Sequence, residues 1–233
     1  MKPDERYAFI PYRTEPLDEA TLLERGRSFY AEMDERRSVR HFSDRKVPRE
    51  AIELAIRAAS TAPSGAHRQP WHFVAISDAN TKRLIREAAE KEEYASYEGG
   101  RMPEAWLEAL RPLGTSWEKP YLETVPWIVV LFEELYGLEA DGSRRKNYYT
   151  KESCGIAAGL FIAALHRMGL STLTHTPSPM GFLSKILGRP NNEKPYILFP
   201  VGYPAADAEV PDLRRKALDE VSTWDPSPPN PEN

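Results

Sequence analysis

Cys154 is the single cysteine in 233 residues, so the chain has no material for a disulfide framework or a Cys-rich metal site. That scarcity fits a reducing, cytoplasm-like compartment. No long hydrophobic run is present either: the most apolar stretch, Gly155 to Leu165, falls short of the roughly 20 residues a bilayer span needs. The first residues, MKPDERYAFIPYR, lack the apolar core of a signal peptide. Neither sign of charge dominates, because 31 basic and 35 acidic side chains leave a net charge of −4. Nucleic acid and anionic membrane surfaces are therefore poor candidates as partners. Internal repeats are absent. So are the G-x-G-x-x-G of a Rossmann dinucleotide site, the phosphate loop G-x-x-x-x-G-K-[ST] and the zinc motif H-E-x-x-H. Five histidines (41, 67, 72, 166 and 175) show no metal-ligand spacing, and no metal is expected. Ser64 sits in APSGA, which is not a G-x-S-x-G nucleophile elbow. What remains is a soluble globular chain of ordinary composition, 41% hydrophobic, with five Trp and 11 Tyr for core and ligand surfaces.

Hydrophobic spacing predicts a helical arm from Leu17 to Met33, then a helix in PREAIELAIRAAS with Ile52, Leu54, Ala55, Ile56 and Ala59 as its apolar face. A charged helix is expected from Ala79 to about Tyr97, closed by Gly99 and Gly100, and another from Pro103 through Leu110. Thr150 to Gly169 is the most apolar helix. Its small residues Gly155, Ala158, Gly159 and Ala163 suit either a domain centre or a subunit interface, and a homodimer is the favoured arrangement. Strands are expected at His72–Asp78, Thr124–Glu134, in STLTHTP and in PYILFPVGYP. TAPSGAHRQPW reads as a loop and GLEADGSRRKNYY as a polar connector. The pattern is α+β, divided into an N-terminal helical arm (1–35), a principal domain (36–219) and a flexible tail (220–233).

Three basic clusters stand out: Arg36, Arg37 and Arg40; Arg144, Arg145 and Lys146; Arg214, Arg215 and Lys216. In the first, guanidinium forks beside the Ser38 hydroxyl suit a terminal phosphate. An isolated RRSVR is nonetheless more often a solvated basic patch. In the Pro63-Ser64-Gly65 turn, backbone N–H groups can converge on one acceptor, although a structural turn feeding the next strand is the plainer reading. Cys154, inside an apolar helix, reads as an inert core thiol.

Taken together, RRSVR, TAPSGAHRQPW, EKEEYASYEGGRM, WEKPYLETVP, TLTHTPSPM, LGRPNNEKPYILFPVGYP and VPDLRRK resemble the FMN-dependent nitroreductase superfamily, and most closely its iodotyrosine deiodinase branch. The resemblance runs from about Arg36 to Lys216. It implies a central, mostly antiparallel sheet flanked by helices, in a domain-swapped homodimer with FMN at the interface. Arg36, Arg37, Ser38, Arg40 and Arg215 fall on the family's phosphate and ribityl segment. Pro63, Ser64, Gly65, Thr174 and His175 fall on positions around the flavin. Thr176 falls on the threonine whose hydroxyl approaches flavin N5, the position implied to be catalytic. Ala66, Glu93, Tyr97 and Lys119 fall on the substrate contacts, within a lid at about 90–120. Glu93 and Tyr97, four apart on one helix face, could pair a ligand ammonium and cover its ring, while Lys119 takes the carboxylate. Without the resemblance, both charges read as solvated surface groups. The implied activity is FMN-dependent reductive dehalogenation of halogenated tyrosines, with electrons from an external NAD(P)H-linked reductase. The rivals are a general FMN nitroreductase or flavin reductase, and a non-catalytic flavoprotein that binds aromatic amino acids. Unlike the animal enzymes, this chain shows no N-terminal membrane anchor, so a soluble bacterial-type form is expected.

Overall fold

The computed structural model describes residues 9–225, and the chain divides into two compact units between Arg36 and Arg37. The first unit holds α1 (Glu19–Glu35), started by Asp18, whose carboxylate accepts the Thr21 amide at 2.9 Å. None of its side chains is buried, which leaves Leu22, Leu23, Phe29 and Tyr30 exposed.

The second unit is built on a four-stranded antiparallel sheet in the order β1–β2–β6–β5, comprising β1 (Trp71–Ile76), β2 (Trp127–Glu134), β6 (Glu193–Gly202) and β5 (Ser171–Thr172). β2 is apolar from Trp127 to Phe132 because both of its faces are covered there, and it ends in Glu133 and Glu134. Ile128, Val130 and Phe132 enter one core, with Ile85 and Ala89 of α3 (Ala79–Tyr97), Leu122 of α5 (Tyr121–Thr124) and Leu183 of α7 (Gly181–Ile186). Val129 and Leu131 enter the opposite core, with Ile52, Ala55 and Ala59 of α2 (Arg49–Ala59) and Cys154, Ala158, Phe161 and Leu165 of α6 (Thr150–Arg167). Phe161 and Phe199 meet there with ring centroids 5.1 Å apart. A sheet between helical layers is the architecture expected from the sequence. The helix α4 (Glu104–Leu110) follows the glycine break at 99–100, as the sequence predicts.

Several elements differ from expectation. Leu54 is 51% exposed, so the apolar face of α2 is narrower than its spacing predicted. The polar connector forms a hairpin, β3 (Tyr136–Leu138) with β4 (Arg144–Lys146), in which Arg144 stacks over Tyr136 at 4.3 Å; cation–π contacts replace the apolar alternation that would have marked a strand. STLTHTP is strand only at Ser171–Thr172, with a further isolated bridge from His175 to Leu198. Of the tail expected at 220–233, residues 226–233 lie outside the described residues. No helix among the described residues is long and apolar enough to cross a membrane. On helix α6, Phe161 and Leu165 are buried in the domain, while Ile156 and Leu160 stay 46% and 37% exposed beside Gly155 and Gly159.

Cys154 is fully buried, and burial pushes its thiol up to about 12. The folded protein at pH 8 should therefore leave Cys154 unmodified by a thiol-reactive disulfide reagent, with one equivalent reacting in guanidinium. Stoichiometric labelling of the native protein would contradict this packing.

Candidate functional site: a buried charge cluster beside an arginine segment

The charged run KEEY predicts solvated glutamates, yet Glu93 is 8% exposed on the inner face of α3. Each of its carboxylate oxygens faces a different nitrogen. Oε2 lies 3.4 Å from Lys119 Nζ, and Oε1 lies 3.4 Å from His175 Nε2. Lys119 itself is 2% exposed. Its amide donates to Glu90 Oε1 at 2.8 Å, and its ammonium also donates to the Ser116 carbonyl. Arg86 pairs with the other Glu90 oxygen at 2.7 Å and bridges to Glu123, tying α3 to α5. The Lys119 ammonium stands 5.5 Å from the centre of the Tyr97 ring, one helical turn beyond Glu93. Three of the four residues read from the sequence as substrate contacts are thus gathered in one place.

The electrostatics follow from this enclosure. Burial works to raise the Glu93 pKa, but the close approach of His175 and the charge of Lys119 outweigh it and hold the carboxyl below its ordinary value. Burial depresses Lys119, and Glu93 only partly restores it. Burial also lowers His175, so the imidazole is neutral at pH 7. Tyr97 and Tyr121 are raised by burial, which keeps both as phenols. Arg40 is close enough to act electrostatically on Lys119, Tyr97, Tyr121 and His175.

Arg40 arrives there on the segment Arg37–Arg40, which runs beside β5: Ser38 bridges Thr172 in parallel, and the Val39 amide donates to the Thr172 carbonyl at 3.3 Å. Beyond β5 the side chains alternate. Leu173, His175 and Pro177 are buried, whereas Thr174 and Thr176 are exposed. One strip therefore offers arginine forks, a serine hydroxyl and two threonine hydroxyls, a donor set suited to a phosphorylated, polar-tailed ligand. Arg36 ends the first compact unit, and Arg215 lies in the irregular segment before the turn at Leu218–Glu220.

The turn at Pro63–Ala66 is held elsewhere. Gly65 bridges Tyr148, and a Cβ on Gly65 would sit 2.6 Å from the Tyr148 carbonyl oxygen, so only glycine fits. Ala66 and His67 follow at φ +50° and +53°, a left-handed pair costly for non-glycine residues and of a kind that clusters at ligand sites. Ser64 Oγ accepts the Gln69 amide at 2.9 Å, closing the loop. Among the described residues, no hydrogen bond or ion pair joins this loop to the Glu93 cluster.

The sequence reading missed Tyr121, which meets His175 edge-on at 6.2 Å and lies in a helix of only four residues with no periodic signal. His175, which the resemblance places around the flavin, turns its side chain toward Glu93. The period-two alternation of Thr174, His175 and Thr176 carried that information.

The nitroreductase family (described as "Nitroreductase family") matches residues 33–203. The chain belongs to this family, in its iodotyrosine deiodinase branch. It is 56% identical to the iodotyrosine deiodinase of Haliscomenobacter hydrossis over 209 residues, 90% of this chain and 94% of that protein. Iodotyrosine deiodinase 1 of Mus musculus is 45% identical over 94% of this chain and 76% of its own length. Among solved structures, oxidised iodotyrosine deiodinase bound to FMN and 3-iodo-L-tyrosine superposes with a TM-score of 0.73, at 28% identity, over 84% of this chain and 100% of that one. A BluB-like flavoprotein from Clostridium difficile, at 21% identity and a TM-score of 0.65, shares the fold.

Removing one member of a buried ion pair leaves the other uncompensated, at a cost of about 3–5 kcal/mol. Lys119→Met should therefore destabilise the protein by about 3 kcal/mol at pH 7 in guanidinium titrations. Because the folded Glu93 pKa is depressed, the stability it contributes is present above the ordinary value of 4.5 and is lost as pH falls below it. The difference between wild type and variant should accordingly shrink below pH 4.5. A variant as stable as wild type at pH 7 would show that the pair is not buried in solution.

Proposed function

We propose that this protein is an FMN-dependent reductive dehalogenase of halogenated tyrosines, converting 3-iodotyrosine to tyrosine and iodide. The observation that carries the reading is the buried Glu93–Lys119 pair. Two opposite charges set into a dry site match the ammonium and carboxylate of a free amino acid, and the curated relatives sharing this branch are named iodotyrosine deiodinases. On binding, the ammonium takes the Glu93 carboxylate, the substrate carboxylate takes the Lys119 ammonium, and the Tyr97 ring covers the aromatic portion. One internal ion pair is exchanged for two. The amino acid thereby recovers in the pocket the electrostatic partners it loses with water.

Arg37, Ser38 and Arg40, with Arg215, would hold the FMN phosphate and ribityl chain through charge-assisted hydrogen bonds. The Pro63–Ala66 turn would face the ring. The Thr176 hydroxyl, exposed on the outward side of its segment, would donate toward flavin N5. Reduced FMN supplies the two electrons that, with one proton, replace the carbon–iodine bond by carbon–hydrogen. Residues 90–120 act as a lid that excludes water once the ligand is clasped. Arg101 anchors the segment on both sides, to Glu92 at 2.9 Å and to the Ser178 carbonyl at 2.8 Å.

The active species in this reading is a homodimer in which one protomer's Gly65 turn meets its partner's lid. The exposed Ile156 and Leu160, beside Gly155 and Gly159 on α6, support that assembly. Electrons come from an external NAD(P)H-linked reductase in a reducing, cytoplasm-like compartment.

The test is anaerobic turnover of 3-iodotyrosine by the FMN-loaded protein with dithionite. One iodide should appear per tyrosine formed, from a species of twice the 26.5 kDa chain mass in light scattering. Tight binding without iodide would identify a sensor or carrier. Reduction of nitroaromatics without affinity for halotyrosine would identify a general nitroreductase.

A further inference from the structure

His175 is the one member of the buried cluster to which a zwitterion-binding mechanism gives no role. Its backbone is fixed to β6 by two hydrogen bonds with Leu198, 2.9 Å from its amide and 3.0 Å to its carbonyl. Its side chain is 6% exposed, and neither ring nitrogen completes a hydrogen bond. Enclosing an imidazole with both nitrogens open is costly, and an apolar side chain would pack beside the Tyr121 ring without that cost. The imidazole is aimed at one group only: Nε2 lies 3.4 Å from Glu93 Oε1, on the opposite side of the carboxylate from Lys119.

We infer that His175 is a positioning residue for Glu93, donating Nε2–H to Oε1 so that Oε2 is presented to the ligand ammonium when Lys119 turns to the ligand carboxylate. The inference rests on the halotyrosine reading of the site and adds a selectivity device to it. Glu93 stands on a helix of the lid and His175 on a residue bonded to the central sheet, so the contact also fixes where the lid's carboxylate sits when closed. Lys119 cannot perform this task, because in the bound state its ammonium serves the other end of the ligand. A carboxylate with one oxygen already satisfied has a single remaining direction for a strong charge-assisted bond. With the imidazole neutral at pH 7, the contact adds no second positive charge to compete with the ammonium. The consequence is discrimination between amino acids and the corresponding aryl-propionates, separate from any effect on the ring.

The experiment is titration of the oxidised, FMN-loaded protein at pH 7.5 with 3-iodotyrosine and with 3-(4-hydroxy-3-iodophenyl)propionate, which lacks only the amino group. Flavin absorbance reports both. His175→Leu should weaken 3-iodotyrosine about tenfold, the worth of one hydrogen bond to a charged group, and the propionate less than about twofold. His175→Gln, which keeps a donor, should recover most of the loss. Equal weakening of both ligands, or of neither, overturns the inference. Failure of wild type to bind 3-iodotyrosine at all would instead remove the underlying reading. Should His175→Leu not fold, the imidazole ¹⁵N spectrum of the wild-type holoprotein decides: an Nε2–H tautomer retained on adding 3-iodotyrosine supports the role, and an Nδ1–H tautomer overturns it.

Discussion

A carboxylate and an ammonium withdrawn from water must satisfy each other or be satisfied by a ligand, and the functional half of this protein is organised around that constraint. Glu93 and Lys119 come from elements separated by a glycine break and a short helix, and they meet at 3.4 Å with almost no solvent exposure. Arg86, Glu90 and Glu123 brace the two elements from the outside. His175 and Arg40 approach from the sheet side. A pair of this kind adds little net stability compared with apolar packing, since desolvation consumes most of its attraction. In the proposed function its value lies in specificity: it would be a standing complement to a zwitterion, with each charge exchanging its internal partner for one on the ligand.

The sheet supplies the rigidity such an exchange needs. β2 sends alternate side chains into two cores, and its neighbour β6 carries Leu198, which holds His175 by both backbone groups. Ser38 and Val39 are pinned to β5 through Thr172, so the arginine segment and the threonine strip keep a fixed register. The mobile element in the proposed cycle is confined to the lid. In the proposed function the sheet scaffold of the nitroreductase family presents the flavin while the lid selects what reaches it.

The long elements were legible in the sequence because their signals are strong and local. Ala79–Tyr97 is bounded by an Asp78 cap and a glycine pair, and Trp127–Glu134 is a β-branched and aromatic run. The hairpin at Tyr136–Lys146 was not legible, because its order comes from guanidinium stacking on tyrosine rather than from apolar alternation. Glu93 and Lys119 were found only through family resemblance. Nothing in KEEY or WEKP marks a buried charge, since that burial arises from contacts with residues distant in the chain. Tyr121 was missed because its helix is only four residues long and carries no periodic signal, whereas the alternation of Thr174, His175 and Thr176 did point His175 inward.

The central claim is that Glu93 and Lys119 together recognise the two charged ends of a free halotyrosine. It is tested most directly by the dissociation constant of 3-iodotyrosine for the FMN-loaded wild type and its Glu93→Gln variant, read from the oxidised flavin. The account predicts at least about a hundredfold weaker binding in the variant, in line with loss of a buried charge-assisted contact, with FMN retained. Equal affinity in the two proteins would contradict it.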